Sequence, residues 1–443
     1  MTSINDNNNN NSKKQLTILV APGSFVGPIM SSIGIAEVLR DSGHRVVYAV
    51  KADWRDKLVK LNFEVELIGG GGGEQEEKDS VESNVELAQL LMGNESLLDK
   101  EIKTVDCYTG WIPELEANEP YFQDIIDRLK PDCIVCECVT LQPTIINSRC
   151  VKVYYHSNNA LSMDMLIDDP RLPPARLGLS LNSDKQLWKE YRKQLNQAKQ
   201  KSLNEWHSWL QSKGCPPMNE TQILYPSPYA NLYLAPKELD YTDIRPLPDN
   251  YYQFDYFKRT ADDDDVFELP EKFRQKSGKL VYLSLGSMGS SDVDLMKRLV
   301  GMLAKSEHRF IVSKGVNHDK YELADNMWGE RFVSQVKVLP IVDLFITHGG
   351  NNSITESMYF GKPMIVCPIF MDQFDNAQIV DDRGYGIRLN PYECSEQQLL
   401  QSIDKLLNDT KLAEKLAKAS KRIQTDKQIE KISEIIENLV KMT

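Results

Sequence analysis

One stretch of the chain, Phe332 to Gln373, gathers most of the residues whose types and spacing could do chemistry. It reads FVSQVKVLPIVDLFITHGGNNSITESMYFGKPMIVCPIFMDQ. The apolar run VDLFIT ends on His348-Gly349-Gly350-Asn351-Asn352-Ser353, and a helical pattern follows. This order reads as a strand, a glycine turn and a helix N-terminus. Glycines let the backbone approach a bound group closely. The first amides of a helix lack intrahelical partners, and the dipole adds about half a positive charge there. Together these features suit a pyrophosphate. His348 falls at the carboxyl end of the strand, where open parallel sheets bind ligands. It reads either as a donor to a phosphate oxygen or as a histidine at the edge of the core. Asn352 and Ser353 read as further donors to the anion or as helix caps, and Ser353-x-x-Glu356 has the form of a capping box. The spacing is neither G-x-G-x-x-G nor G-x-x-x-x-G-K-[ST], which argues against a generic dinucleotide site or P-loop.

Taken together, Phe332-Val-Ser-Gln335, the following Val-Leu, F-I-T-H-G-G-N-N-S-x-x-E, P-x-x-x-x-P and Asp372-Gln373 resemble the nucleotide-sugar signature of the UDP-glycosyltransferases. The likeness is close over residues 332–373 and looser from Leu16 to the C-terminal helices. It implies a GT-B fold, in which two Rossmann-like doubly wound α/β domains face a central cleft. It also implies a UDP-sugar donor, with UDP-glucose the expected one. By the same resemblance Phe332 stacks on the uracil, where many relatives carry tryptophan, and nearby Trp328 could share that task. Gln335 pairs with the edge of the base, and Glu356 accepts from the ribose hydroxyls. His348, Gly350, Asn352 and Ser353 hold the diphosphate, with Ser287 as a second contact. Asp372 and Gln373 hold hydroxyls of the transferred sugar; the competing reading makes Asp372-Gln373 the N-cap of the next helix. No metal is expected, because the helix dipole, the amides and His348 can meet the charge of the leaving group. Asp292-Val-Asp294 reads as a helix cap, not as a cation site.

The elements that must position these residues follow from the apolar pattern. LTILVA (16–21), the helix SSIGIAEVLRDSG (31–43) after the loop PGSFVGPIM, and RVVYAV (45–50) form a βαβ unit, hence a parallel sheet. FEVELIG, PDCIVCECV and VKVYYHS (151–157) continue the alternation. A second doubly wound pattern begins at KLVYLSLGS (279–287). The expected organisation is an Asn-rich disordered tail (1–14), an acceptor-binding domain (15–250) and a linker (251–278) containing the ADDDD run. A nucleotide-sugar domain (279–425) follows, and a closing amphipathic helix (426–443) packs back on the first domain. Acceptor contacts are expected from the Pro-rich loop and the Trp-bearing helical stretch between Asn158 and Glu220.

Composition narrows the partners. A net charge of −12 leaves no basic surplus for nucleic acid. The eight cysteines are scattered, and Cys133, Cys136 and Cys138 lie in an apolar strand, so they read as reduced thiols. The polar start has no apolar core of a signal peptide, and no run of 18 apolar residues occurs. A cytoplasmic protein without a membrane span is expected. Its partner would be a small lipophilic acceptor.

The catalytic base is the weak point. The resemblance implies a histidine just after a glycine in the first loop, oriented by an acid on another strand. Here Gly27 is followed by Pro28, and no histidine occurs before His44. Proline accepts no proton and lacks a backbone donor. Glu137 stands where the orienting acid belongs. Three readings follow. The first is an inverting hexosyltransferase whose acceptor needs no strong base, such as an amine, or in which Glu137 or His156 serves as the base. The second is a UDP-sugar-binding protein with impaired turnover. The third is another GT-B activity, such as a sugar-nucleotide epimerase.

Overall fold

The computed structural model describes residues 14–69, 89–140, 142–157, 169–257 and 267–443. Among the described residues thirteen strands form two wholly parallel sheets. The first contains β1 (Thr17–Ala21), β2 (Arg45–Val50), β3 (Glu64–Leu67), β4 (Cys133–Glu137), β5 (Val151–His156), β6 (Ala230–Leu234) and β7 (Tyr251–Phe254). Its order is β3-β2-β1-β4-β5-β6-β7. The second contains β8 (Leu280–Ser284), β9 (Arg309–Ser313), β10 (Met327–Glu330), β11 (Leu344–Thr347), β12 (Met364–Val366) and β13 (Gly386–Arg388). Its order is β10-β9-β8-β11-β12-β13. Both orders are doubly wound, with the switch point between β1 and β4 in one sheet and between β8 and β11 in the other.

Strands buried on both faces need near-continuous apolar sequence. β4, β6 and β8 meet this need: every residue in them is buried. The alternation of the pleat divides β1 between two cores. Ile18 and Val20 join one cluster, and Leu19 and Ala21 the other. The closing helix Lys431–Met442 places Ile432 and Ile436 in the first of these, with Ile435 and Val440 packed beside them. The C-terminus of the chain therefore stabilises the N-terminal sheet.

Two expectations need correction. β7 extends the first sheet to Phe254, inside the stretch expected as a linker from 251. Its cause is register: Asn231 to Leu234 on β6 pair with Tyr251 to Phe254, so the chain is not released until after the strand. The helix after β1 begins at Val26, five residues before the expected start at Ser31. The ADDDD run, the glycine-rich acidic stretch from residue 70 and most of the Asn-rich tail lie outside the described residues. Among the described residues no helix is long and apolar enough to cross a membrane.

Candidate active site

The ends of β1, β4 and β5 and those of β8, β11 and β12 meet around one cavity of about 340 Å³. Its walls are mostly apolar, with Phe25, Val26, Trp111, Val139, Met288 and Phe370 prominent. Among them stand Glu137, Arg176, His348, Asp372 and Gln373. An apolar cleft with a few convergent polar groups is the usual form of a small-molecule site.

The second half supplies an anion cradle. β11 delivers His348 to the cavity, and the helix Asn351–Phe360 starts three residues later. Glycines hold the ring on both sides. A Cβ on Gly350 would lie 2.5 Å from Nε2, and one on Gly286 would lie 2.7 Å from the same atom. Gly286 follows β8, so each sheet-end strand of the switch point contributes one side of the slot. Burial lowers the His348 pKa to about 4, so the ring is neutral at pH 7 and can donate one N–H. Its Nδ1 has no hydrogen-bond partner among the described residues. The helix is capped by Gly350, which has no side chain to offer. Its first amides are thus left for a ligand, and the set fits a diphosphate. Ser287 is exposed on the same cavity wall, on the single turn Gly286–Gly289.

The start of this helix also corrects two readings. Ser353 is the third helical residue, so Ser353-x-x-Glu356 is not a capping box. Glu356 is buried instead, and Gln335 Nε2 donates to its Oε2 at 2.6 Å and to Ser353 Oγ at 3.3 Å. Asn352 was expected at the diphosphate. Its amide instead donates to Gly27 O at 3.0 Å and accepts from Ser31 Oγ at 2.9 Å, both in the first half. Asn351 Nδ2 donates to Ser157 O at 3.0 Å and to Leu234 O at 2.8 Å, also in the first half. The reason is proximity: the helix start lies against the first sheet, so side chains pointing that way find backbone partners there.

At the cavity mouth Phe332 is 55% exposed, with the Arg331 guanidinium 5.3 Å from its ring centre. Such an exposed aromatic face is suited to stacking. Trp328 does not share it, because β10 turns it into the core against Phe267. At the other end, Asp372 precedes the helix Gln373–Asp382 but does not cap it. Its Oδ2 accepts from Asn376 Nδ2 at 3.0 Å. Burial raises the Asp372 pKa to about 6, against the opposing charge of Arg176. Gln373 Oε1 accepts from the Ile369 and Phe370 amides and so shapes the turn that lines the site.

In the first half, Pro28 lies in the first turn of the helix Val26–Asp41 and lines the cavity together with Glu137. Tyr155 Oη donates to Pro28 O at 3.0 Å and fixes that turn. Glu137 ends β4 and is fully buried. Burial lifts its pKa to about 7, although the Val139 amide at 2.6 Å and Ser157 Oγ at 3.0 Å favour the carboxylate. A carboxyl poised near neutrality in a cleft is suited to moving a proton. His156 is excluded from that role. It is buried, turned away from the cavity, and stacked at 6.3 Å on Tyr251 of β7. The pleat is responsible: neighbouring strand residues point to opposite faces. Burial lowers its pKa to about 3.

Sequence reasoning missed Arg176, Trp111 and Lys100. Lys100 is buried and donates to Ile369 O at 2.9 Å, tying the helix Leu97–Gly110 to the turn before Asp372. Trp111 packs on Phe25 at 5.8 Å. No local pattern marks these residues; only the fold brings them to the cleft.

Comparison with known proteins agrees with this arrangement. Residues 230–436 match the family model described as UDP-glucoronosyl and UDP-glucosyl transferase. A sterol 3-beta-glucosyltransferase of Yarrowia lipolytica is 24% identical over 93% of this chain and 28% of its own length. UDP-glucuronosyltransferase 2B7 of Homo sapiens is 30% identical over 38% of this chain and 32% of its own. The chain thus spans about a third or less of those two relatives. Among solved structures, the glycotransferase of kitacinnamycin superposes with a TM-score of 0.68 at 18% identity, covering 96% of this chain and 99% of that one. With the nucleotide-sugar signature seated on two facing Rossmann-like sheets, the chain has the GT-B fold, and its residues 230–436 match the UDP-glucoronosyl and UDP-glucosyl transferase family model.

Proposed function

We propose that the protein moves a hexose, glucose in the first instance, from a UDP-sugar to small lipophilic acceptors, with inversion at the anomeric carbon and Glu137 as base. One observation carries this reading: Glu137 and His348, at the switch points of the two sheets, line a single cavity. An acceptor O–H hands its proton to the Glu137 carboxylate as its oxygen attacks the anomeric carbon. The bond from that carbon to the diphosphate breaks on the opposite side. The charge gathering on the leaving UDP meets the open helix start and the His348 N–H. An amine acceptor is itself nucleophilic and asks less of the base. The apolar walls favour a lipophilic acceptor. The sterol glucosyltransferase, which matches almost the whole chain, supports glucose and a lipophilic acceptor more than the glucuronosyl relatives do, since these match a smaller part.

One observation favours a second reading, a UDP-sugar-binding protein without turnover: the cavity that Glu137 lines also has Pro28 in its wall, which cannot accept a proton. An assay of free UDP from UDP-glucose separates the two, using panels of phenols, lipophilic alcohols and amines. Acceptor-dependent UDP release supports the transferase. Saturable UDP binding with no release on any panel supports the binding protein. A UDP titration that leaves the melting temperature unmoved contradicts both.

A further inference from the structure

A segment of the first half of the chain, residues 91–100, lies across the second half. Leu91 is fully buried in the apolar cluster that holds Val281, Ile346 and Ile365, and Met92 packs against the same cluster. The Gly93 amide donates to Tyr392 Oη at 3.2 Å, and Asn94 Nδ2 donates to Glu393 Oε1 at 3.0 Å. The segment ends in the first turn of the helix Leu97–Gly110 with Lys100, which is 5% exposed. Its ammonium donates to Gly93 O at 2.7 Å within the segment, and to Ile369 O at 2.9 Å across the interface. It also lies 5.4 Å from the ring centre of Phe374 and 5.7 Å from that of Tyr392, within cation–π reach. Burial lowers its pKa to about 8, so it is charged at pH 7 and both hydrogen bonds are charge-assisted.

Two partners of this ammonium bracket one turn. Ile369 opens it and Phe374 closes it, and the four residues between, Phe370, Met371, Asp372 and Gln373, all line the cavity. The turn is not a regular element that holds itself. Met371 has φ +55, in the left-handed region that a side chain disfavours. Gln373 Oε1 accepts from the Ile369 and Phe370 amides, and Asn376 Nδ2 donates to Asp372 Oδ2 at 3.0 Å. Those bonds come from the second half itself. Lys100 adds a tie from the opposite half, at the carbonyl where the turn begins. Strained backbone persists only where its surroundings over-determine it, and a buried ammonium on that carbonyl is one such constraint.

We propose that Lys100 is a positioning residue for the donor sugar, supplied by the opposite half of the molecule: by holding the Ile369 carbonyl and the Phe374 ring it sets the turn that presents Asp372 and Gln373 to the sugar hydroxyls. The proposal rests on the reading of the cavity as a UDP-hexose site, and it separates two parts of donor affinity. The uridine and diphosphate contacts come from other elements; the sugar contacts come from the turn that Lys100 holds.

The test is calorimetric titration of the full chain with UDP and with UDP-glucose at pH 7, read as the ratio of the two affinities. Lys100→Met keeps the apolar stem and removes the ammonium. It should leave UDP affinity within about twofold and lower the UDP-glucose to UDP ratio about tenfold, the scale of one charged hydrogen bond. Lys100→Arg keeps charge and donors and should restore most of that ratio. Asn94→Ala breaks a bond of the same interface away from the turn and should leave the ratio unchanged. Asp372→Asn should lower the ratio too. Combined with Lys100→Met, its loss should be smaller than the product of the two single losses, because both changes disturb one set of contacts. If Lys100→Met does not fold, Lys100→Gln, which keeps a neutral donor, should lower the same ratio about threefold. An unchanged ratio in the Lys100 variants, equal losses for UDP and UDP-glucose, or an equal fall in Asn94→Ala would overturn the proposal while leaving the nucleotide site intact. A wild type that does not bind UDP would remove the UDP-hexose reading, and the proposal with it.

Discussion

The two halves of the cleft are built differently. In the second half the expected donor contacts, Ser287 apart, fall within one continuous stretch, 332–373, which folds as a strand, a turn and a helix start around β11. In the first half the cavity wall comes from Phe25, Pro28, Trp111, Glu137, Ser157 and Arg176, spread over 150 residues of chain. A diphosphate asks for amides and a dipole, which one local turn supplies. An acceptor asks for a shaped apolar wall, which many segments can provide and no local pattern records. Under the proposed function, binding chemistry is therefore concentrated in the second half and reaction chemistry dispersed over the first.

The largest effect that would sharpen this contrast is at Glu137. In steady-state assays of hydroxyl acceptors, Glu137→Gln should lower kcat/KM by about 10²–10⁴, the usual contribution of a positioned base, with UDP affinity unchanged. The same substitution should raise stability at neutral and higher pH. The folded pKa lies near 7 rather than at the ordinary 4.5, so the folded wild type loses stability as pH climbs from below 4.5 through 7. A glutamine carries no charge to bury. Denaturant melts at pH 5 and pH 8 should show the variant gaining roughly 2.5 kcal/mol on the wild type between them. A variant that loses stability at both values would mean that Glu137 is held as a structural carboxylate.

On the binding side, His348→Ala should weaken UDP by about 10–100-fold in calorimetric titrations, the scale of a charge-assisted hydrogen bond. Gly350→Ala should do similar harm with the imidazole still present, since its Cβ would press on Nε2. If His348→Ala lowers acceptor turnover and spares UDP, the division of labour between the halves is wrong.

The same division explains what was legible in the sequence. The fold was, because β1, β4, β8 and β11 are apolar runs ending at turns. β6 and β7 were not among the expected strands, although ANLYL is as apolar as its neighbours; the Pro-rich surroundings and the short YYQF edge masked the pattern. His348 and its glycines could be read locally. The competing capping-box reading of Ser353 and Glu356 fails because the helix starts two residues before Ser353, a shift that no propensity argument resolves. His156 was misread because the period of a strand does not say which face meets the cleft. Arg176 carries no local signal, since its place in the cavity wall is set by the tether to Asp375, far away in the chain.

The smallest effect is a gain. Pro28→His should place an imidazole in the cavity wall that Glu137 also lines. About tenfold on phenols is expected, less than a well-placed base provides, because the loop also loses the rigidity of proline. The Pro28→His/Glu137→Gln double should lose that gain. A gain that survives without Glu137 would show that the new histidine works unaided.

The central claim is that Glu137, without a histidine, takes the acceptor's proton. The pH profile of kcat/KM for one phenol, measured in the wild type and in Glu137→Gln, tests it most directly. Deprotonation creates the base, so the wild type should rise with pH to a plateau, with a midpoint near 7, and the variant should lack that limb. A limb of the same midpoint and height in Glu137→Gln would contradict the claim and assign the proton to another group.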